Sequence, residues 1–259
     1  MPPPNITTHL ATEDDALSLA SIMTVAFSAS DAAYPLIWGS AAEGTHDTIS
    51  IIGLFTPVQK PERVTYKAFD EKTQKVVGFA TWTLPKGKLE GEEREGEIKK
   101  IDEGGLPRLP GVNVDLWMEK VGGTRAFAER DVDAEKDMGK LTFVYFSVLV
   151  WKWVSIYVNL GLIGDFMVYI FDGNTVDLSF CFVHPHYQRQ GIASSLLAVG
   201  LREADARKAR FWCTSTPQAV SAYEKIGWGV VETHRVDLGK YGGDGIYTRA
   251  WMVREPRRD

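Results

Sequence analysis

Residues 183–197 read Val-His-Pro-His-Tyr-Gln-Arg-Gln-Gly-Ile-Ala-Ser-Ser-Leu-Leu, a basic turn of small residues between an apolar run and an amphipathic pattern. The apolar run stops before Pro185, which cannot continue a sheet ladder. Gly191 and Ala193 then open a helix that carries Ile192, Leu196, Leu197 and Leu201 on one face. The first amides of a helix have no partner inside it and point the same way. Together with the positive end of the helix dipole they make an anion site suited to a pyrophosphate. Gly191 lets the backbone approach such a ligand closely. Arg189 either adds a charge-assisted hydrogen bond or lies in solvent.

A second run, Ala222-Tyr223-Glu224-Lys225-Ile226-Gly227-Trp228, follows about thirty residues later, after the strand-like Arg210-Phe-Trp-Cys-Thr-Ser. In this order the two runs resemble two motifs of the GNAT family of N-acetyltransferases. Gln188-Arg-Gln-Gly191-Ile-Ala193 is similar to the family's Gln/Arg-x-x-Gly-x-Gly/Ala element. Ala222 to Trp228 looks like its Tyr-Glu-Lys-x-Gly-Phe element, with Trp228 in place of the Phe. The arrangement most resembles the fungal-type small-molecule acetyltransferases of the family, and the motifs cover residues 177–228.

The resemblance implies an α+β fold, a mixed and mostly antiparallel sheet flanked by helices, and acetyl-CoA as cosubstrate. Gln188, Arg189, Gln190, Gly191, Ile192, Ala193 and Ser194 would form the pyrophosphate turn. The strand ending at Phe182 and Val183 would splay from its neighbour and pair with the pantetheine amides as a peptide strand does. Tyr223 matches the tyrosine that serves as general acid toward the sulfur in many family members. From the helical pattern alone it reads as a tyrosine with a buried ring and a wet hydroxyl. Direct transfer in a ternary complex is implied, to the primary amine of a small molecule bound near Phe27, Tyr34 and Trp38. Aromatic lining there would favour an apolar or aromatic amine. Acetylation of protein N-termini or lysines is the enzymatic alternative. The amine must lose a proton before attack, yet Val77-Gly78-Phe79 offers no carboxylate. Asp177, Asp31 and a water chain stay open as the base.

Composition sets the bounds. The chain has 259 residues, 44% of them hydrophobic and 24% charged, enough for a substantial core without covalent staples. The net charge of −5 carries no polyanion signature, so no nucleic-acid partner is expected. The two cysteines, Cys181 and Cys213, lie in apolar runs and read as buried thiols of a reducing compartment. The N-terminal sequence lacks the pattern of a signal peptide, so a cytoplasmic protein is expected, and a monomer or homodimer is the expected assembly. His184 and His186 flank Pro185 but have no third ligand at suitable spacing, so no metal is expected. Arg254, Arg257 and Arg258 read as a loose tail.

The positioning elements follow from pattern. A strand over 6–10 leads to Thr12 and Asp15, which approximate a capping box, and to a helix with Ala16, Leu19, Ile22, Met23 and Phe27 at helical spacing. Residues 33–40 read as a loop and 45–55 as a second helix stopped by Pro57. Strands over 63–69 and 75–84 make a hairpin. Residues 86–112 form an exposed charged insertion. Residues 117–138 are helix-like with a break at Gly122-Gly123. The motif core, 177–253, reads strand, helix to about Lys208, strand, short helix, and two last antiparallel strands, all within a single domain over 1–259.

Residues 141–174 fit none of this. Residues 141–164 are apolar and aromatic with Lys152 as the one charge, long enough for a membrane span, although a central lysine costs about 2.5–3.5 kcal/mol there. Three readings stay open: buried elements inserted in the domain, a membrane contact, or sequence alien to the fold, such as a translated intron. Excision would join Met138-Gly-Lys to Thr175-Val-Asp as a compact connection. Two further functions depend on this block: a non-catalytic acyl-CoA-binding module, or a membrane-attached interaction protein.

Overall fold

The computed structural model describes residues 3–85, 109–133, 135–138 and 180–257. Most of the charged insertion, the apolar block 141–174, Asp177 and Arg258 lie outside the described residues. Two antiparallel sheets carry the fold, with helices on their faces, in agreement with the α+β expectation.

The first sheet has the order β1-β2-β3-β4, from Ile6–Leu10, Arg63–Asp70, Lys75–Thr83 and Phe180–Val183. Thr12 and Asp15 form the expected cap: the Thr12 N–H and Oγ1 both donate to Asp15 Oδ2, at 2.7 and 3.0 Å. Helix α1 (Ala16–Ser30) then lays Leu19, Ala20, Ile22 and Met23 on the sheet with Phe55, Val58 and Phe79. Residues 33–40 hold a short helix, α2 (Tyr34–Trp38), rather than a loop. Pro35 sits in its first turn, where a missing N–H costs nothing, and Trp38 is buried. Helix α3 (Thr45–Leu54) ends ahead of Pro57, as expected.

The second sheet has the order β5-β7-β6, from Phe211–Ser215, Ile246–Arg254 and Gly229–Asp237. Helices α4 (Val114–Gly122) and α5 (Arg125–Asp131) cover one face. Asn113, directly after the charged insertion, is the N-cap of α4 and accepts the Leu116 N–H at 3.0 Å. Arg254 is no tail residue. It is buried in β7 and forks onto Asp205 at 2.8 and 2.9 Å.

Helix α6 (Ile192–Arg207) joins the sheets. A Cβ on Gly200 would lie 3.0 Å from Phe211 of β5 and 3.2 Å from Trp82 of β3, so the helix lies close to both and a larger residue there would press on their rings. Ile192, Leu196, Val183, Phe211 and Cys213 share one core cluster. No helix among the described residues is long and apolar enough to cross a membrane.

Candidate functional site

β4 and β5 are edge strands of different sheets and are not paired with each other, while Val183, Phe211 and Cys213 bring them onto one core cluster. Val183 lies opposite Gly78 and Phe182 opposite Phe79, and the His184 N–H reaches Val77 O at 2.9 Å. Antiparallel alternation therefore turns the backbone groups of Phe182 toward β3 and those of Cys181 and Val183 toward β5. On the far side, Met138 pairs in parallel with Phe211: its N–H donates to Arg210 O at 2.8 Å, and its C=O accepts from Trp212 N at 2.9 Å. The same alternation turns the Thr214 backbone away from β7. Among the described residues the β5 edge is thus closed at Trp212 and unpaired at Thr214. Asp137 anchors the closed end. Its carboxylate takes Arg210 Nε and Nη2 at 2.9 and 2.6 Å and Trp212 Nε1 at 3.1 Å.

The turn after β4 is built from its own side chains. Pro185–Tyr187 is one helical turn, with His184 Nδ1 accepting the His186 N–H at 3.3 Å. The two histidines therefore serve the turn, and no group of metal-ligating residues occurs among the described residues. Tyr187 Oη donates to Asp70 Oδ2 at 3.0 Å, tying the turn to the hairpin. Gln188 Nε2 donates to Val183 O at 3.1 Å, and Gln190 Nε2 to His186 O at 3.3 Å. Arg189 and Gly191 both have positive φ, 60° and 79°. The first helical hydrogen bond runs from Ser195 N to Gly191 O. The amides of Ile192, Ala193 and Ser194 precede it and have no acceptor within the helix. Ile192 is buried and Arg189 exposed, so the turn anchors inward and presents its basic side chain outward.

Tyr223 lies on α7 (Val220–Glu224) and packs on the core cluster that holds Cys213, with the partly buried Cys181 against the same cluster. Its ring meets Trp228 edge-on at 5.4 Å. Burial, and after it the Cys213 and Cys181 thiols, raises its pKa well above the usual phenol range. The hydroxyl has no hydrogen-bond partner among the described residues, and the groups acting on it belong to the two facing strands. Both cysteines are free, as expected, and burial pushes the Cys181 thiol up to about 12.

On the opposite face lies the aromatic group singled out from sequence. Phe27 packs on Phe182 of β4 at 4.8 Å and stacks with Tyr34 at 6.3 Å. Trp38 instead belongs to the core with Leu116 and Val236. His46, at 4.7 Å from Trp38, completes the group, and burial lowers its pKa to about 4. Asp31 is not available as a base. It is buried, and Oδ2 receives both Lys120 Nζ and Tyr247 Oη at 2.7 Å while Oδ1 takes the Ala33 N–H at 2.9 Å. Sequence reasoning missed Lys120, Tyr247 and Arg249 entirely. The available signal was the spacing of Lys120 from Leu116, which puts both on one stripe of α4.

No curated protein sequence matches the chain. Among solved structures, similarity extends to an N-acetyltransferase of Staphylococcus aureus, at 13% identity and TM-score 0.48 over 97% of this chain and 98% of that one. A histone acetyltransferase and related acetyltransferase of Corynebacterium glutamicum shows 14% identity and TM-score 0.49 over 98% of each chain. A Salmonella typhimurium acetyltransferase solved with acetyl-CoA shows 11% identity and TM-score 0.45, over 98% of this chain and 96% of that one. The sequence profile described as the acetyltransferase (GNAT) domain matches residues 162–240, a stretch that contains the turn, α6, β5 and Tyr223. The matched stretch thus spans β4, the turn, α6 and β5.

Proposed function

We propose that the chain is an acetyl-CoA-dependent N-acetyltransferase that transfers acetyl directly to the primary amine of a small molecule. The observation that carries this reading is the β4–β5 junction, unpaired among the described residues. Outward backbone groups of Cys181 and Thr214 and the Val183 N–H line it, Tyr223 packs beside it, and the α6 turn follows directly from β4.

The residues fit an acyl-CoA. Free amides at Ile192, Ala193 and Ser194, with two positive-φ residues ahead of them, suit a pyrophosphate. Gln188 and Gln190 shape the turn through their hydrogen bonds, and exposed Arg189 adds charge. Phe182 and Val183 end the strand that would pair with the pantetheine amides. The bound thioester supplies an electrophilic carbonyl and a sulfur leaving group.

As the amine nitrogen bonds to the acetyl carbon, its proton passes to Asp177 or a water chain, because Asp31 is committed to three donors. Tyr223 gives its proton to the sulfur as the C–S bond breaks, and bulk water returns a proton to the phenol. Burial keeps Tyr223 in the acid form that this step needs.

Calorimetry with acetyl-CoA and an amine panel read by free thiol test the proposal together. Binding with amine-dependent thiol release is the expected result. No binding at millimolar acetyl-CoA overturns it, and binding without turnover on any amine marks a non-catalytic acyl-CoA module instead.

A further inference from the structure

Arg249 on β7 is buried, at 9% exposure. Nη1 donates to Lys120 O at 3.2 Å, while Nε is buried with no partner among the described residues. Its side of the sheet follows from its neighbours on alternate positions of β7. Tyr247 reaches Asp31, and Trp251 Nε1 reaches Asp131 at 3.0 Å, so all three point toward α1, α4 and α5.

Charge is unbalanced here. Asp31 is the buried carboxylate of this group, and it already holds Lys120 Nζ and Tyr247 Oη. Lys120 and Arg249 therefore share one anion. A buried guanidinium without its own counter-ion is costly unless something else supplies the charge. Thr214 repeats the pattern. The register sets it opposite Trp251, so it lies diagonally across from Arg249 on the same face. Its Oγ1 is also buried without a partner among the described residues, and its backbone is turned away from β7. Phe27 connects this group to the junction, with Lys120 Nζ 5.2 Å from its ring centre and Phe182 on its other side.

We infer that the amine acceptor carries a carboxylate, held by Arg249 and by the Thr214 hydroxyl, so that the acceptor class is the free amino acid rather than a simple apolar or aromatic amine. The inference rests on the acetyltransferase reading for the position of the amine but not for the carboxylate site. A planar guanidinium with a free Nε matches one carboxylate oxygen, and a hydroxyl on the next strand can donate to the other.

The test uses a panel of amino acids of varied side chain, each paired with its carboxamide. Calorimetry measures binding to the chain alone, and acetyl transfer is followed by thiol release. At least one acid should bind ten-fold or more tighter than its amide. Arg249→Gln should erase that ratio while leaving amide binding within about two-fold. Thr214→Val, a near-isosteric change, should shrink it by about three- to ten-fold and serves should Arg249→Gln fail to fold. If no acid outbinds its amide, or if Thr214→Val weakens acid and amide equally, the inference is wrong. Because the binding arm needs no acetyl-CoA, its outcome separates from failure of the enzymatic reading. Acetylation of neutral amines with no preference for acids would keep the enzyme and remove the carboxylate site.

Discussion

Tyr247 Oη donates to Asp31 Oδ2 at 2.7 Å, joining the turn after α1 to the last strand of the second sheet, on the same oxygen that receives Lys120. Asp31 therefore holds three elements together: the α1–α2 turn, α4 and β7. Removing its charge leaves an ammonium buried without a counter-ion, which costs about 3–5 kcal/mol. Asp31→Asn is expected to lower the thermal midpoint steeply. Adding Lys120→Met to it should recover part of the loss, since the buried ammonium is then removed, while buried Arg249 still lacks an anion and keeps the recovery incomplete. Melting curves of the single and double variants check this, and equal midpoints for the two would contradict it.

The same lysine predicts an alkaline stability profile. Burial holds Lys120 at about 8, against 10.5 ordinarily, despite the pull of Asp31. From pH 8 to 10.5 the unfolded chain thus binds more protons than the folded chain at this site, and stability rises with pH. Cys181 acts in the opposite sense. Its thiol ordinarily titrates at 9.0 and burial raises it to about 12, so above pH 9 the folded chain holds the extra proton and stability falls. Cys213 is raised too and adds to the fall. Urea midpoints should peak near pH 9, and Cys181→Ala with Cys213→Ala should move the peak upward. A midpoint declining steadily from pH 7 would refute the assignment.

His46 gives the acid counterpart. Burial lowers it to about 4 from 6.5, so the unfolded chain takes up its proton first as pH falls. Stability present above 6.5 is lost progressively down to about 4, a contribution on the order of 3 kcal/mol. Thr24 Oγ1 contacts His46 Nδ1 at 2.6 Å and also bonds Asp47, so the ring sits in a defined polar niche. His46→Gln should flatten the stability slope between pH 6.5 and 4, as measured by urea titration at several pH values.

Gly191 and Arg189 bear on the cofactor turn. With φ at 79°, a Cβ at position 191 costs about 1–2 kcal/mol. The strain falls on the residue that sets the direction of the Ile192, Ala193 and Ser194 amides. Gly191→Ala should weaken acetyl-CoA binding ten-fold or more with a modest drop in melting temperature. Arg189→Gly should relax the backbone yet weaken binding in a salt-dependent way, because an exposed charge is lost. Calorimetry at two ionic strengths separates these effects.

Local pattern made much of this legible. Leu19, Ile22 and Met23 set the buried face of α1, and the polar turn at 70–73 set the hairpin that pairs Tyr66 with Ala80. Gly191, read as the residue opening a helix, has the positive φ that such a turn requires. What could not be read arises from contacts distant in sequence. Asp31, Lys120 and Arg249 meet only after both sheets form, and a lysine in a helical stretch reads as solvated until its stripe is known to face inward. The α2 helix was hidden by Pro35, a breaker in most positions but neutral in a first turn. Arg254 read as tail because the strand's end was placed one residue early, which put a buried ion-pair partner of Asp205 outside the sheet.

The proposed acid role of Tyr223 gives the sharpest kinetic prediction. Burial and the facing thiols keep its phenol protonated across the working range. A general acid in that state contributes to the chemical step and not to binding, so Tyr223→Phe should lower kcat about 10²-fold with little change in the acetyl-CoA KM. The ring keeps its edge contact with Trp228 in the variant, so packing is retained. Because the raised pKa lies above the assay range, the wild-type rate should show no alkaline fall attributable to this group up to pH 10. The variant should also regain part of its rate with thioesters whose thiol is more acidic, since such a leaving group needs less protonation. Unchanged kcat in Tyr223→Phe, or an equal defect with every thioester, would assign the proton to another donor.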